Sequence, residues 1–221
     1  MADTWQAVDD YIAERLLGPD AALDAALKAN AAAGLPAIDV SAAQGRMLHL
    51  FARMLGARRV LEVGTLGGYS AICFARALGE GGRVTTLEID SHHAQIARGN
   101  IDAAGMGALV DIRVGPAIDS LNAMIAADEA PFDLVFVDAD KQSNADYVRA
   151  ALELTRPGSA IIVDNVIRGG KVIDAATSDA MVQGTRRLYD YLHGEPRLDC
   201  TAVQTVGAKG WDGFVLALVK G

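Results

Sequence analysis

Residues Val60–Ser70 read VLEVGTLGGYS, a β-branched run followed by a glycine-rich turn and the start of a helix. Glycines in a strand-to-helix turn let the backbone approach a bound ligand closely. The next predicted strand ends in TLEID, which places Glu88 at its carboxyl end, where a carboxylate can accept hydrogen bonds from two ribose hydroxyls. Together these two features predict a nucleotide-type ligand at the edge of a sheet.

Short β-branched runs alternate with helical patterns from about residue 58 onward. The predicted strands are Arg59–Val63, Arg83–Glu88, Val110–Val114, Phe132–Val137 and Ala160–Val163. The predicted helices between them cover about 69–79, 91–105, 117–127 and 142–154. This alternation is typical of βαβ units and predicts a doubly wound, Rossmann-like α/β fold with helices on both faces of a parallel sheet.

The pattern changes after the fifth predicted strand. A helix of about 177–193 precedes two further strands, Asp199–Val206 and Gly213–Val219. Only the predicted loop Gly207–Asp212 separates them, and so short a connection predicts an antiparallel hairpin.

Residues 1–56 hold three helical stretches, among them the alanine-rich segment 21–33. We interpret them as a cap or an oligomer surface on the core formed by 57–221, within one domain covering 1–221. Their apolar residues favour a homodimer.

Composition limits the function classes. With 28 acidic and 20 basic residues the net charge is -8, so the molecule repels polyanions and nucleic acid is not an expected partner. Met1–Leu17 lacks the pattern of a secretion signal, and no apolar stretch reaches the ~20 residues of a membrane span. Cys73 and Cys200 make no disulfide framework. We therefore expect a cytoplasmic protein with no membrane partner.

The spacing of the turn favours one type of ligand. Gly64, Gly67 and Gly68 follow the pattern Gly-x-x-Gly-Gly, which departs from the Gly-x-Gly-x-x-Gly of dinucleotide sites. The carboxylate of Glu62 at this turn would repel a phosphate but attract a ligand with ammonium and sulfonium charges. We therefore predict S-adenosylmethionine, although glycines that serve tight packing alone remain an alternative.

Two later strands end in acidic residues. Asp138 follows Phe132–Val137, and Asp164-Asn165 follow Ala160–Val163. If the two strands are neighbours, ~4.8 Å apart, these side chains converge at the crevice where open α/β sheets bind ligands. Two carboxylates and an amide oxygen, without His or Cys, favour Mg²⁺, with Mn²⁺ or Ca²⁺ as alternatives.

Lys141 follows three residues after Asp138, near the start of a helix. A lysine beside a metal in a partly dry cleft is a candidate general base for a substrate hydroxyl. The alternative is that the two aspartates only cap helices while Lys141 is a solvated surface charge.

These motifs resemble those of the cation-dependent O-methyltransferases, which include catechol O-methyltransferase and the caffeoyl-CoA O-methyltransferases of plants. The resemblance covers about residues 38–219. It lies in Val40-Ser41, Gln44-Gly45, Val60–Ser70, Thr86–Asp90, Gly115–Ala117, Val137–Lys141 and Val163–Lys171.

The resemblance implies a role for each matching residue. The implied metal ligands are Asp138, Asp164 and Asn165, and the implied catalytic base is Lys141. The implied cofactor contacts are Val40, Glu62, Gly64, Ser70, Glu88, Ala117 and Asp138, with Glu88 on the ribose and Ala117 beside the adenine. The implied fold is a seven-stranded, mostly parallel sheet whose last strand is antiparallel.

The implied reaction is methylation of one hydroxyl of a small catechol-like or hydroxycinnamoyl-type substrate. The acceptor itself does not transfer, because Arg168-Gly169-Gly170 stands where the plant enzymes tend to carry an aromatic residue. Two other classes stay open at this point: an NAD-dependent oxidoreductase that uses the same glycine turn, and a non-catalytic S-adenosylmethionine-binding module. A joint metal site at His92-His93 is not expected, because neighbouring residues of a helix point in different directions.

Overall fold

The protein is described by a computed structural model that covers residues 2–221. Its seven strands are β1 (Arg59–Val63), β2 (Arg83–Glu88), β3 (Val110–Val114), β4 (Phe132–Val137), β5 (Thr155–Asp164), β6 (Leu198–Gly207) and β7 (Gly210–Val219). They form one sheet in the order β3-β2-β1-β4-β5-β7-β6. The strands β1 to β5 pair in parallel, whereas β7 is antiparallel to both of its neighbours. The predicted fold class is confirmed.

Eight α-helices accompany the sheet in the described part of the chain. They are α1 (Ala2–Ile12), α2 (Ala21–Ala32), α3 (Ala42–Met54), α4 (Tyr69–Ala77), α5 (Ser91–Ala103), α6 (Ala117–Ala126), α7 (Asn144–Glu153) and α8 (Ala180–Gly194). One buried cluster joins the sheet to α6, α7 and α8, and a second joins its other face to α2, α3, α4 and α5. Helices therefore cover both faces of the sheet. This is expected, because strands with apolar residues on both sides must be shielded from water on both faces.

The three amino-terminal helical stretches are confirmed as helices. Helix α2 packs against α4 and α5, α3 packs against α4, and α1 contacts β6. Ser41 begins α3, since its hydroxyl accepts a hydrogen bond from the backbone N–H of Gln44 at 3.2 Å. This cap places Gln44 in the first turn of α3.

The predicted loop Gly207–Asp212 is wrong in its bounds. Gly207 pairs with Gly210, Val206 with Trp211 and Thr205 with Asp212, so only Ala208 and Lys209 lie outside the ladder. The glycines and Asp212 of this segment suggested an irregular loop. Instead, Gly210, with φ of +93°, completes a tight hairpin with a two-residue turn. The strand β5 also begins earlier than predicted, at Thr155, despite Pro157 and Gly158.

Within residues 2–221, none of the helices combines the length and the apolar character that crossing a bilayer demands.

Candidate active site

A cavity of about 820 Å³ lies at the carboxyl ends of the parallel strands, beside the turn between β1 and α4. This is where open α/β sheets bind ligands. Six of the seven predicted cofactor contacts line it: Val40, Gly64, Ser70, Glu88, Ala117 and Asp138.

Gly64 brings β1 and β4 together at the floor of the cavity. Its φ is +106°, and a Cβ atom there would lie 2.5 Å from the carbonyl oxygen of Asp138. A side chain at this position would meet both backbone strain and a steric clash with the neighbouring strand. The glycine is therefore required by the close approach of the protein's own backbone, in addition to any ligand.

Glu88 holds the glycine-rich turn in place. One of its carboxylate oxygens, Oε2, accepts hydrogen bonds from the backbone N–H groups of Thr65 at 3.2 Å and Leu66 at 2.8 Å. The other, Oε1, accepts from the N–H of Asp90 at 3.0 Å and lies 3.7 Å from Nδ1 of His93. Glu88 is buried yet lines the cavity, so it can shape the turn and still face a ligand.

Glu62 lies elsewhere than the sequence suggested. It is fully buried beneath the turn and does not line the cavity. The Thr86 hydroxyl donates to its Oε2 at 2.6 Å, while its Oε1 is buried without a hydrogen-bond partner. Burial, together with the charges of Asp138 and Glu88, raises the pKa of Glu62 to about 7. The expectation of a carboxylate exposed to the ligand is corrected, because β1 turns this side chain into the interior.

The predicted acidic residues do come together. Val137 of β4 pairs with Val163 of β5, so Asp138 and Asp164 follow paired positions at the ends of adjacent parallel strands. Burial, together with the charge of Asp138, raises the pKa of Asp164 to about 7. Asn165 lines the cavity in a left-handed conformation with φ of +59°, which asparagine tolerates better than most residues.

Gln44 fixes Asp164 from the other side. Its Nε2 donates to Oδ2 of Asp164 at 2.6 Å, and the backbone N–H of Asn165 donates to Oδ1 at 2.9 Å. Sequence reasoning did not assign this role to Gln44. The available signal was its place in the Gln44-Gly45 motif, beside the cap of α3.

Lys141 is buried and lines the cavity, which contradicts the alternative of a solvated surface charge. It begins a 3₁₀ turn, Lys141–Ser143, ahead of α7. Its Nζ lies 2.7 Å from Oδ1 of Asp138, so the lysine and the two aspartates form one cluster. In residues 2–221, no group of three or more His, Cys, Asp or Glu side chains is arranged to hold a metal ion. The cluster described here has two carboxylates, with Asn165 next to Asp164 in sequence.

The adjacent histidines do not form a joint site. His92 Nε2 lies 3.1 Å from the carbonyl oxygen of Ala33, whereas His93 faces Glu88 and the cavity. The expectation of no shared metal is consistent with these separate partners. His93 lines the cavity, a placement that the sequence did not predict.

A second set of residues missed in the sequence connects α2 to the glycine turn. Asn100 Nδ2 donates to Oδ1 of Asn30 at 2.8 Å and to the carbonyl oxygen of Gly67 at 2.9 Å. Asn30 Nδ2 in turn donates to Oδ1 of Asp39 at 2.9 Å. Single asparagines far apart in sequence give no pattern that would reveal this connection.

The geometry agrees with what comparison with known proteins finds. A family model described as O-methyltransferase matches residues 20–219. The chain belongs to the O-methyltransferase family. This O-methyltransferase is 51% identical to a catechol O-methyltransferase of Mycobacterium tuberculosis over 96% of its own chain and 95% of the relative.

Other relatives of this O-methyltransferase extend the comparison. A solved O-methyltransferase from Bacillus cereus, in complex with SAH, is 52% identical with a TM-score of 0.98, and the match covers 100% of both chains. A caffeoyl-CoA O-methyltransferase of Zea mays is 36% identical over 60% of this chain and 51% of the relative. The predicted enzyme class, an O-methyltransferase dependent on S-adenosylmethionine, is confirmed, and the oxidoreductase and the non-catalytic module are set aside.

Proposed function

We propose that this enzyme moves the methyl group of S-adenosylmethionine to one hydroxyl of a catechol-like or hydroxycinnamoyl-type substrate, with the help of a divalent cation. The observation that carries the proposal is the cluster of Asp138, Asp164, Asn165 and Lys141 beside the cavity of the glycine turn. The catechol O-methyltransferase relatives and the SAH-bound structure support the substrate class and the cofactor.

The cluster suits a hard divalent cation. Asp138 and Asp164 are close enough for one charge to raise the pKa of the other carboxyl, so a cation between them would relieve a real repulsion. Their oxygens and the amide oxygen of Asn165 are the ligands that Mg²⁺ prefers, with Mn²⁺ or Ca²⁺ as alternatives. When bound there, such an ion would lower the pKa of a substrate hydroxyl.

The cofactor would occupy the cavity along the glycine turn. Glu88 is proposed to accept hydrogen bonds from the ribose, and Ala117 to lie beside the adenine, while Val40, Gly64, Ser70 and Asp138 line the remaining wall. Glu62 lies beneath the turn, where its buried Oε1 has no hydrogen-bond partner. We propose that it supports the turn from below, with the turn between it and the cofactor.

The catalytic base in this proposal is Lys141. Its Nζ would take the hydroxyl proton, and it lies 2.7 Å from Oδ1 of Asp138, beside the proposed cation site. The substrate oxygen then attacks the methyl carbon, the carbon–sulfur bond breaks, and S-adenosylhomocysteine and the methyl ether leave the site.

The test is methyl transfer to a panel of catechols and hydroxycinnamoyl thioesters, followed as S-adenosylhomocysteine release and product mass. We expect turnover with magnesium and its loss in excess EDTA. Binding of Mn²⁺ followed by electron paramagnetic resonance should weaken in Asp164→Asn, which tests the metal site independently of activity. Full activity in EDTA would refute the metal, and no methylation of any acceptor in the panel would refute the substrate class.

A further inference from the structure

We infer that Arg168 is a specificity-determining residue that binds a carboxylate of the acceptor, so that dihydroxylated aromatic acids are the preferred substrate class. This inference rests on the proposed function and refines it. It depends on how the loop after β5 is built and on which donors of the guanidinium are unused.

Arg168 lies just after the end of β5 that carries the proposed metal ligands Asp164 and Asn165. It lies three residues after Asn165 and begins a 3₁₀ segment, Arg168–Ile173, in a left-handed conformation with φ of +57°. Such backbone is costly for a residue with a side chain, and it persists where the surroundings enforce it.

The surroundings here are two residues of β7. Oδ1 of Asp212 accepts hydrogen bonds from the backbone N–H groups of Ile167 at 2.9 Å and Arg168 at 3.0 Å. The ring of Trp211 covers Gly170 so closely that a Cβ there would lie 2.7 Å from two of its carbon atoms. These contacts hold the loop after β5 against β7 and set the position from which Arg168 extends.

The guanidinium keeps most of its donors free. Its Nη1 forms a long ion pair with Oδ2 of Asp212 at 3.8 Å, and its Nη2 donates one weak hydrogen bond to the sulfur of Met181 at 3.6 Å. Its Nε is buried, and no residue in 2–221 provides it with a hydrogen-bond acceptor. A carboxylate is the ligand that matches such a planar group of donors, since it can accept two parallel hydrogen bonds.

Arg168 lies in the wall of the cavity, near the residues proposed to bind the acceptor. Arg168 and Met181 both line it, together with Lys141, Gln142 and Asn165. The side chain of Arg168 is 23% exposed, which leaves room for contact but excludes much of the water. Lys141 is already paired with Asp138 at 2.7 Å, whereas the ion pair of Arg168 with Asp212 is longer, at 3.8 Å, so Arg168 is the cation better placed to bind a further carboxylate.

The size of the cavity favours a compact acid. About 820 Å³ is within the usual range of ~300–1,000 Å³ for one small-molecule site, and here it must hold both cofactor and acceptor. An aromatic acid can place its hydroxyls at Asn165 and Lys141 and its carboxylate at Arg168. A net charge of -8 would otherwise favour amines, so this arginine would reverse the preference of the molecule as a whole.

Three matched acceptors test the inference: 3,4-dihydroxyphenylacetate, the corresponding phenethyl alcohol and the corresponding phenethylamine. Their binding is measured by calorimetry on the full chain with magnesium and S-adenosylhomocysteine, alongside their methylation. We expect the acid to bind roughly tenfold more tightly than the alcohol, and the amine to bind most weakly. Arg168→Gln should remove the advantage of the acid and leave the alcohol within about twofold, whereas Arg168→Lys should retain part of it.

Lys171→Gln is the matched control, because it removes the same charge from an exposed residue of the same segment. The inference is overturned if Arg168→Gln weakens all three ligands equally, or if the wild type does not prefer the acid. Methylation of all three without preference would contradict the role of Arg168 and leave the proposed function standing. Binding of the acid that depends on Arg168, with no methylation, would support the role of Arg168 and contradict the proposed function.

Discussion

Gln44 and Asp164 are joined by a hydrogen bond of 2.6 Å across 120 residues of sequence. The donor comes from the first turn of α3 and the acceptor from the tip of β5. This contact orients a carboxylate that is almost fully buried, and it connects the amino-terminal helices directly to the proposed metal site.

Removing this contact should weaken metal binding. Partners that orient a metal ligand typically contribute ~10- to 100-fold to metal affinity or activity, and we expect a loss of that size in Gln44→Ala. Titration of Mn²⁺ by calorimetry measures it directly. Gln95→Ala, at an exposed position of α5, should bind the metal like the wild type. Unchanged affinity in Gln44→Ala would show that Asp164 needs no such support.

Replacing Lys141 should affect the chemical step and spare the cofactor. General bases contribute roughly 10²- to 10⁴-fold, and we expect kcat to fall by that factor in Lys141→Ala and Lys141→Arg. Affinity for S-adenosylhomocysteine, measured by calorimetry, should change little, because the lysine faces the acceptor side. Lys171→Ala is the exposed control. If Lys141→Arg keeps full turnover, charge alone is what this position supplies.

Glu62 should make stability depend on pH. Its pKa is raised to about 7 in the folded protein, so the folded state holds a proton that the unfolded chain releases near its ordinary value of 4.5. The resulting stabilisation is present below pH 4.5 and is lost as the pH rises through 7, by at most about 3 kcal/mol. Burial raises the pKa of Asp164 in the same direction.

The variant Glu62→Gln isolates this effect, because glutamine imitates the protonated acid. It should match the wild type in free energy of unfolding near pH 5 and exceed it near pH 8, as urea titrations at each pH would show. Glu80→Gln, at an exposed residue, should show no such trend. A difference between Glu62→Gln and wild type that stays constant with pH would contradict the burial argument.

Gly64→Ala should be disruptive where Gly79→Ala is not. The first places a Cβ 2.5 Å from the carbonyl oxygen of Asp138 at a φ of +106°, whereas the second meets nothing within 4 Å. Backbone strain of this kind costs about 1–3 kcal/mol before the clash is counted. Thermal unfolding and S-adenosylhomocysteine binding should both decline in Gly64→Ala. A variant that keeps wild-type stability and affinity would show that the strands can separate at little cost.

The strands of the core were predictable because each is a short run rich in β-branched residues between helical patterns. The bounds of β1 to β4 agree with the structure, and so does the placement of Asp138 and Asp164 on neighbouring strand ends. That outcome follows from parallel topology alone, since the carboxyl ends of parallel strands share one edge.

What could not be predicted depends on contacts between distant segments. Successive side chains of β1 point to opposite faces of the sheet, and packing against the neighbouring elements decides which face is buried under the turn. The glycine motif alone does not reveal the direction of the Glu62 side chain. The roles of Gln44 and Asn100 arise from packing of α3 and α5 against the sheet. The extent of the hairpin was missed because Trp211 and Asp212 pair in the ladder while still resembling loop residues.

The chain of amides from Asp39 through Asn30 and Asn100 to the carbonyl of Gly67 has a mechanical consequence. These hydrogen bonds connect the segment after α2 to the glycine-rich turn, which is proposed to bind the ribose of S-adenosylmethionine. Displacing α2 from α5 would break these hydrogen bonds, so the position of α2 and the shape of the glycine-rich turn depend on each other.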